Sequence, residues 1–202
     1  MQGERGASAG FRFLIHRSWI PAAVLVCAQL SAGTFASLPM AASVALGAAT
    51  TAAILGSLVL HGLAHAAMAR RRGLAPSRTT IYPFGEITRF EIEPDGPADE
   101  AVVAAAGILA SFALGAAFLA GSTFAPGALG DVLWAAGAAN AALAALNLLP
   151  APPLDGGRFA RAVSWARSGD RARAARMAVR WELGLGVTML GAGAAVVAVD
   201  PY

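Results

Sequence analysis

The chain has 202 residues, of which 57% are hydrophobic and 13% charged, against roughly 25% charged in ordinary soluble domains. That balance excludes a well-hydrated soluble fold and is the composition of a membrane protein. The net charge of +3 and the pI near 10.0 would suit nucleic acid, but the basic residues lie where membrane topology would place them, so the expected surroundings are the lipid bilayer and no nucleic acid is expected as a partner.

Residues 1 to 17 form a short basic lead-in with Arg5, Arg12 and Arg17. From 18 to 69 there is no Asp, Glu, Lys or Arg over 52 residues, and one crossing needs only about 20 apolar residues. Two helices are therefore expected, near 19–37 and 41–70, with Pro39 at the turn. The first apolar run has an alternative reading as a signal peptide, because small residues near 34 to 42 resemble a cleavage region. Residues 73 to 97 interrupt the apolar pattern. Within them the β-formers of Thr79-Thr80-Ile81-Tyr82 and Ile87-Thr88-Arg89-Phe90-Glu91-Ile92 flank Pro83-Phe84-Gly85, which predicts a small hairpin or pair of strands. Pro94-Asp95-Gly96-Pro97 then reads as a loop. Further spans are expected near 98–123, 131–149 and 178–198, with Pro150, Pro152 and Pro153 ending the fourth and a basic helix lying between the fourth and fifth, suited to anionic headgroups.

The expected fold is an all-α polytopic membrane protein of about five transmembrane helices, a single domain over 1–202, with a small β element on the cytoplasmic side. All fifteen basic residues are arginine. They cluster before the first span, after the second, and between the fourth and fifth, so the positive-inside rule places the N-terminus and these segments in the cytoplasm. Arginine without lysine and the heavy use of alanine suggest a high-GC bacterium, and hence an inner or plasma membrane location. Cys27 stands alone, so no internal disulfide is possible. His16 is expected at the membrane interface, as are Trp19, Trp134, Trp165 and Trp181.

Ionisable side chains within spans are costly and mark function by default. His61 and His65, four apart near the end of the second helix, share one helical face and can reach one metal ion. A bare H-x-x-x-H also arises by chance. Asp155, in Leu154-Asp155-Gly156-Gly157 just past the fourth span, is expected at the same depth and would complete a His, His, carboxylate set with an open fourth position. Taken alone, that segment could be a simple turn before the basic helix. Asn140 and Asn147 are seven apart on one face of the fourth span, where they either link helices or serve a site by binding a substrate backbone or oxyanion.

These residues resemble the site-2 protease family of intramembrane zinc metalloproteases, and the resemblance runs along nearly the whole chain. Its H-E-x-x-H helix is similar to residues 58 to 72, which hold His61-Gly62-Leu63-Ala64-His65. Its N-x-x-P-x-x-P-L-D-G-G-R segment resembles Asn147-Leu148-Leu149-Pro150-Ala151-Pro152-Pro153-Leu154-Asp155-Gly156-Gly157-Arg158, and its A-G-P-x-x-S helix start resembles Ala106-Gly107-Ile108-Leu109-Ala110-Ser111.

The resemblance implies zinc on His61, His65 and Asp155, a transmembrane protein segment as substrate or partner, and strands within 79 to 92 that receive it as an added strand. It also implies a general base where this chain has Gly62, which has no side chain to take a proton from water. The expectation is a zinc-binding protease scaffold with impaired or absent hydrolysis. One alternative is an active protease in which Glu86, on the strand segment, replaces the lost base. Another is a helical membrane subunit without metal.

Overall fold

The computed structural model describes residues 12–82, 85–92 and 94–199. A strand β1 (Arg12–Ile15) leads into helix α1 (Trp19–Ala32), and a turn brings the chain to the long helix α2 (Met40–Arg71). Strands β2 (Ala75–Tyr82) and β3 (Gly85–Ile92) follow, then α3 (Pro97–Phe124), α4 (Gly127–Asn147), α5 (Asp155–Ser168) and α6 (Arg171–Val199).

Prolines delimit these helices. Pro39 is the residue before α2, Pro126 the residue before α4, and Pro97 occupies the first turn of α3, positions where the missing N–H costs nothing. Asp99 and Glu100 also lie in the first turn of α3, where negative charge suits the helix dipole. At the far end of the first helix pair, Ser43 Oγ donates to the Ser31 carbonyl at 2.7 Å, and Ser31 Oγ donates to the Ser43 carbonyl at 3.3 Å. Hydroxyl-to-carbonyl bonds of this kind link helices that have no hydrophobic force between them in lipid.

The distribution of residues is the reverse of a water-soluble core. The buried face of α2 consists of Ser43, Gly47, Thr50, Thr51, Ser57, His61, Gly62, His65, Ala66 and Ala69, whereas Leu60, Leu109, Phe112 and Leu146 are 50%, 65%, 44% and 54% exposed. Small and polar groups facing inward with large apolar groups facing outward is what a bilayer requires. Three helices among the described residues, α2, α3 and α4, are long and apolar enough to cross a membrane.

The expected count of about five spans is not reached by length and composition alone. α1 has 14 residues, about 21 Å at 1.5 Å per residue against a core of about 30 Å. It ends at Gly33, after which the chain turns and buries Phe35 at 1% exposure. α6 carries Arg171, Arg173, Arg176, Arg180 and Glu182 in its first half, which shortens its uncharged stretch.

The three strands form one sheet in the order β1-β2-β3. β1 runs parallel to β2, with Arg12 opposite Arg78 and Ile15 opposite Ile81, and β2 runs antiparallel to β3, with Tyr82 opposite Gly85. Because β1 precedes α1 and β2 follows α2, the sheet holds the start of the first helix and the end of the second at one end of the molecule. The same end is tied by charge. Arg72 Nε donates to Asp99 Oδ1 at 2.6 Å, and Arg161 donates to the buried Glu100 Oε1 through Nε at 2.6 Å and Nη2 at 2.5 Å.

The Glu100–Arg161 pair fixes α5 against the head of α3. Glu100 is 2% exposed and its other oxygen has no partner among the described residues, so removal of Arg161 strands a buried carboxylate. Arg161→Ala is expected to lower unfolding stability in detergent by about 1–3 kcal/mol, and adding Glu100→Gln to recover part of it. Chemical denaturation of the single and double variants checks this.

Candidate metal centre

One helix and the start of another bring the expected ligands together. His61 and His65 project from the inner face of α2, and Asp155 opens α5. His65 Nε2 lies 3.0 Å from Asp155 Oδ2, His61 Nε2 lies 3.1 Å from the same oxygen, and the two Nε2 atoms are 3.1 Å apart. All three residues are buried, and they form the group able to hold a metal ion among the described residues. Three corners of a tetrahedron with bonds of about 2.0–2.2 Å would be about 3.3–3.6 Å apart. The donor triangle is close to that size.

The hydrogen bonds behind the rings favour metal-binding tautomers. His65 Nδ1 lies 2.7 Å from the Val103 carbonyl, which can only accept, so Nδ1 carries the proton and Nε2 of the neutral ring presents a lone pair. His61 Nδ1 lies 2.9 Å from Ser111 Oγ, which can accept in the same way. Lone pairs and a carboxylate oxygen pointing at one another repel, and a cation between them removes that conflict. The donor set therefore fits zinc. The Asp155 carboxylate is itself buried, at 5% exposure. Its second oxygen, Oδ1, lies 3.8 Å from Arg158 Nη1.

Close backbone approach explains the glycines. A Cβ on Gly107 would collide with Nε2 and Cε1 of His65 and come within 2.8 Å of His61 Cε1. α3 therefore presses directly on the two imidazoles, and Val103, Gly107 and Ser111 form a stripe at four-residue spacing that receives them. A Cβ on Gly156 would meet the Leu148 and Leu149 carbonyl oxygens at 2.5 Å, and one on Gly157 would collide with Ala151 and Pro152. The first turn of α5 thus folds back onto the loop after α4, and that aims Asp155 at the histidines.

The two asparagines are hydrogen-bonded in different ways. Asn147 Oδ1 accepts the Asp155 backbone N–H at 3.4 Å, while its Nδ2 donates to the Leu143 carbonyl at 3.0 Å. It steadies the backbone of the aspartate and has no described bond to the histidines. Asn140 Nδ2 donates to Ser57 Oγ at 3.0 Å and to the Ala136 carbonyl at 2.8 Å, linking α4 to α2, and its buried Oδ1 is without a partner among the described residues. Gly62 is buried on the same face as His61 and His65. Glu86 pairs with Ile81 through β3, and its side chain lies outside the described residues.

Sequence reasoning singled out the ligands but gave no role to Val103, Glu100 or Arg161. The Val103 contribution is a backbone carbonyl, which no residue type signals. Glu100 looked like one more acid at the head of a helix, and Arg161 like one more arginine of a basic helix.

A family model, that of peptidase family M50, matches residues 49–128 and 123–191. The chain belongs to peptidase family M50. A protein of Mycobacterium tuberculosis, provisionally named zinc metalloprotease Rip3, is 37% identical over 184 residues, which cover 87% of this chain and 47% of that protein. A provisionally named zinc metalloprotease of Synechocystis is 28% identical over 93% of this chain and 51% of its own length. The chain thus spans about half the length of these curated relatives. The solved site-2 protease from Methanocaldococcus jannaschii matches with a TM-score of 0.68 and 24% identity, covering 95% of this chain and 83% of that one, a likeness in fold. The fold is that of a site-2 protease, and the chain carries a His, His, Asp group that could hold a metal ion.

Proposed function

We propose that this M50 chain holds zinc on His61, His65 and Asp155, engages a transmembrane segment of another membrane protein, and hydrolyses it slowly or not at all because Gly62 offers no base. The observation that carries this reading is the convergence of three buried donor atoms, at 3.0–3.1 Å from one another, beside a helix face on which the residue after His61 is a buried glycine. Zinc bound there supplies Lewis acidity toward a peptide carbonyl and water. The chain's own residues orient the donors through Val103 and Ser111, hold Asp155 through Asn147, and keep bulk water out by burial. What they lack at position 62 is a proton acceptor.

Two finer readings belong with this one. The sheet end, where β1, the Arg72–Asp99 pair and the Glu100–Arg161 pair gather, is the cytoplasmic end by its arginines, with the N-terminus on that side and five crossings in all. In this reading the β2–β3 sheet receives an extended segment of the partner as a further strand.

The test measures zinc content and cleavage of a reconstituted single-span substrate for the unaltered chain and for Asp155→Ala. Zinc in the first and not the second, with equal negligible cleavage, supports the reading. Cleavage abolished by Asp155→Ala overturns the hydrolysis part, and Glu86→Gln then decides whether Glu86 serves as the base. A chain without zinc would favour a helical membrane subunit.

A further inference from the structure

The segment from 158 to 181 holds seven arginines and a single acidic residue, Asp170, and the metal centre uses little of this charge. α5 and α6 pack side by side here. Ser164 Oγ donates to Met177 Sδ at 3.4 Å, and the Arg171 guanidinium lies 5.3 Å from the centroid of the Trp165 ring. Between them runs an open groove of about 560 Å³, its floor and walls including Phe159, Val163, Met177 and Trp181, with Arg167 and Arg173 at its rim. Phe159 and Trp181 are 43% and 37% exposed. Arg167 and Arg173 form no ion pair among the described residues.

We infer that this groove is a binding site for one anionic phospholipid, the acyl chain lying along Phe159, Val163, Met177 and Trp181 and the phosphate held by Arg167 and Arg173. Charge complementarity selects the occupant. Two unpaired guanidiniums converge on a slot that is otherwise apolar, and a lipid presents a phosphate joined to hydrocarbon in one molecule. A free phosphate would leave the apolar walls wet. Position agrees, since residues 183 to 199 of α6 are uncharged, so the groove lies where α6 leaves the headgroup layer. The lining residues also recur at helical spacing, with 159, 163 and 167 on α5 and 173, 177 and 181 on α6. The inference depends on the membrane setting and not on zinc or hydrolysis.

The test reconstitutes the full chain in phosphatidylcholine vesicles and titrates in brominated phosphatidylglycerol or brominated phosphatidylcholine. The readout is the part of the tryptophan quenching that Trp181→Phe removes. Each arginine near an anionic headgroup contributes about 1 kcal/mol, or about fivefold in affinity. A preference for phosphatidylglycerol of fivefold or more is expected. Arg167→Gln with Arg173→Gln should abolish it, whereas Arg176→Gln with Arg180→Gln, the same charge change outside the groove, should keep it. Equal quenching by the two lipids overturns the inference. So does equal loss in both double variants, which would mean general surface charge, or a cross-linked dimer showing that a second copy covers the groove. Because the zinc content should be the same in all these variants, failure here is distinguishable from failure of the metal site.

Discussion

Gly107→Ala is expected to empty the metal site while leaving the helices in place. The added Cβ falls on His65 Nε2, one of the three donor atoms, and beside His61 Cε1, so at least one ring must rotate away or α3 must move off α2. Either change breaks the donor triangle. Residues that merely support metal ligands cost about 10–100-fold in affinity when altered, and displacing a donor outright should exceed about 100-fold. Helix propensity moves in the opposite direction, since alanine is favoured over glycine by about 1 kcal/mol in a helix interior. The variant should therefore retain its far-UV circular dichroism and lose zinc. Zinc per chain after titration with a chelator measures the effect, with Ser111→Ala as a milder companion that should lose about tenfold. A Gly107→Ala chain with unaltered zinc affinity would show that α3 does not press on the histidines as described.

Gly62→Glu is expected to raise peptide hydrolysis by about 10²–10⁴-fold, the usual worth of a positioned general acid or base. Position 62 follows a ligand on the inner face of α2 and is buried. A glutamate there sits beside the donor group, where it can take a proton from the attacking water. Backbone energetics favour the change by about 1 kcal/mol, because glutamate is a far better helix former than glycine. Burial of the carboxylate opposes it, with a cost of several kcal/mol unless a cation is nearby. The variant should accordingly be more stable with zinc than without, a difference that thermal unfolding with and without chelator can read. Gly62→Gln is the control, similar in shape and helix propensity but unable to act as a base.

The main helices were legible because uncharged runs and prolines leave little choice of boundary. Pro39 and Pro97 stand at or next to the starts of α2 and α3, whereas α4 begins at Gly127, four residues before the expected 131. The meeting of His61, His65 and Asp155 was legible for a different reason, since arginine placement put the end of the second helix and the segment after the fourth at one depth. What remained hidden depends on tertiary contact. The parallel pairing of Arg12–Ile15 with β2 rests on four residues, too few to show a period. The ending of α1 at Ala32 follows from the turn that buries Phe35, and nothing in the apolar run marks it. Asn147 gave a face but not a partner, and the partner is the Asp155 backbone. Glu100 and Arg161 are 61 residues apart, and an ion pair between them follows only once α5 is known to lie on α3.

The central claim is a zinc site complete in its ligands and lacking its base. The measurement that tests it most directly is zinc content together with the cleavage rate of one reconstituted single-span substrate, taken on matched preparations of the unaltered chain and Gly62→Glu. The account predicts about one zinc per chain in both and cleavage only in the glutamate variant. Zinc in both with equal cleavage rates, or no zinc in either, would contradict it.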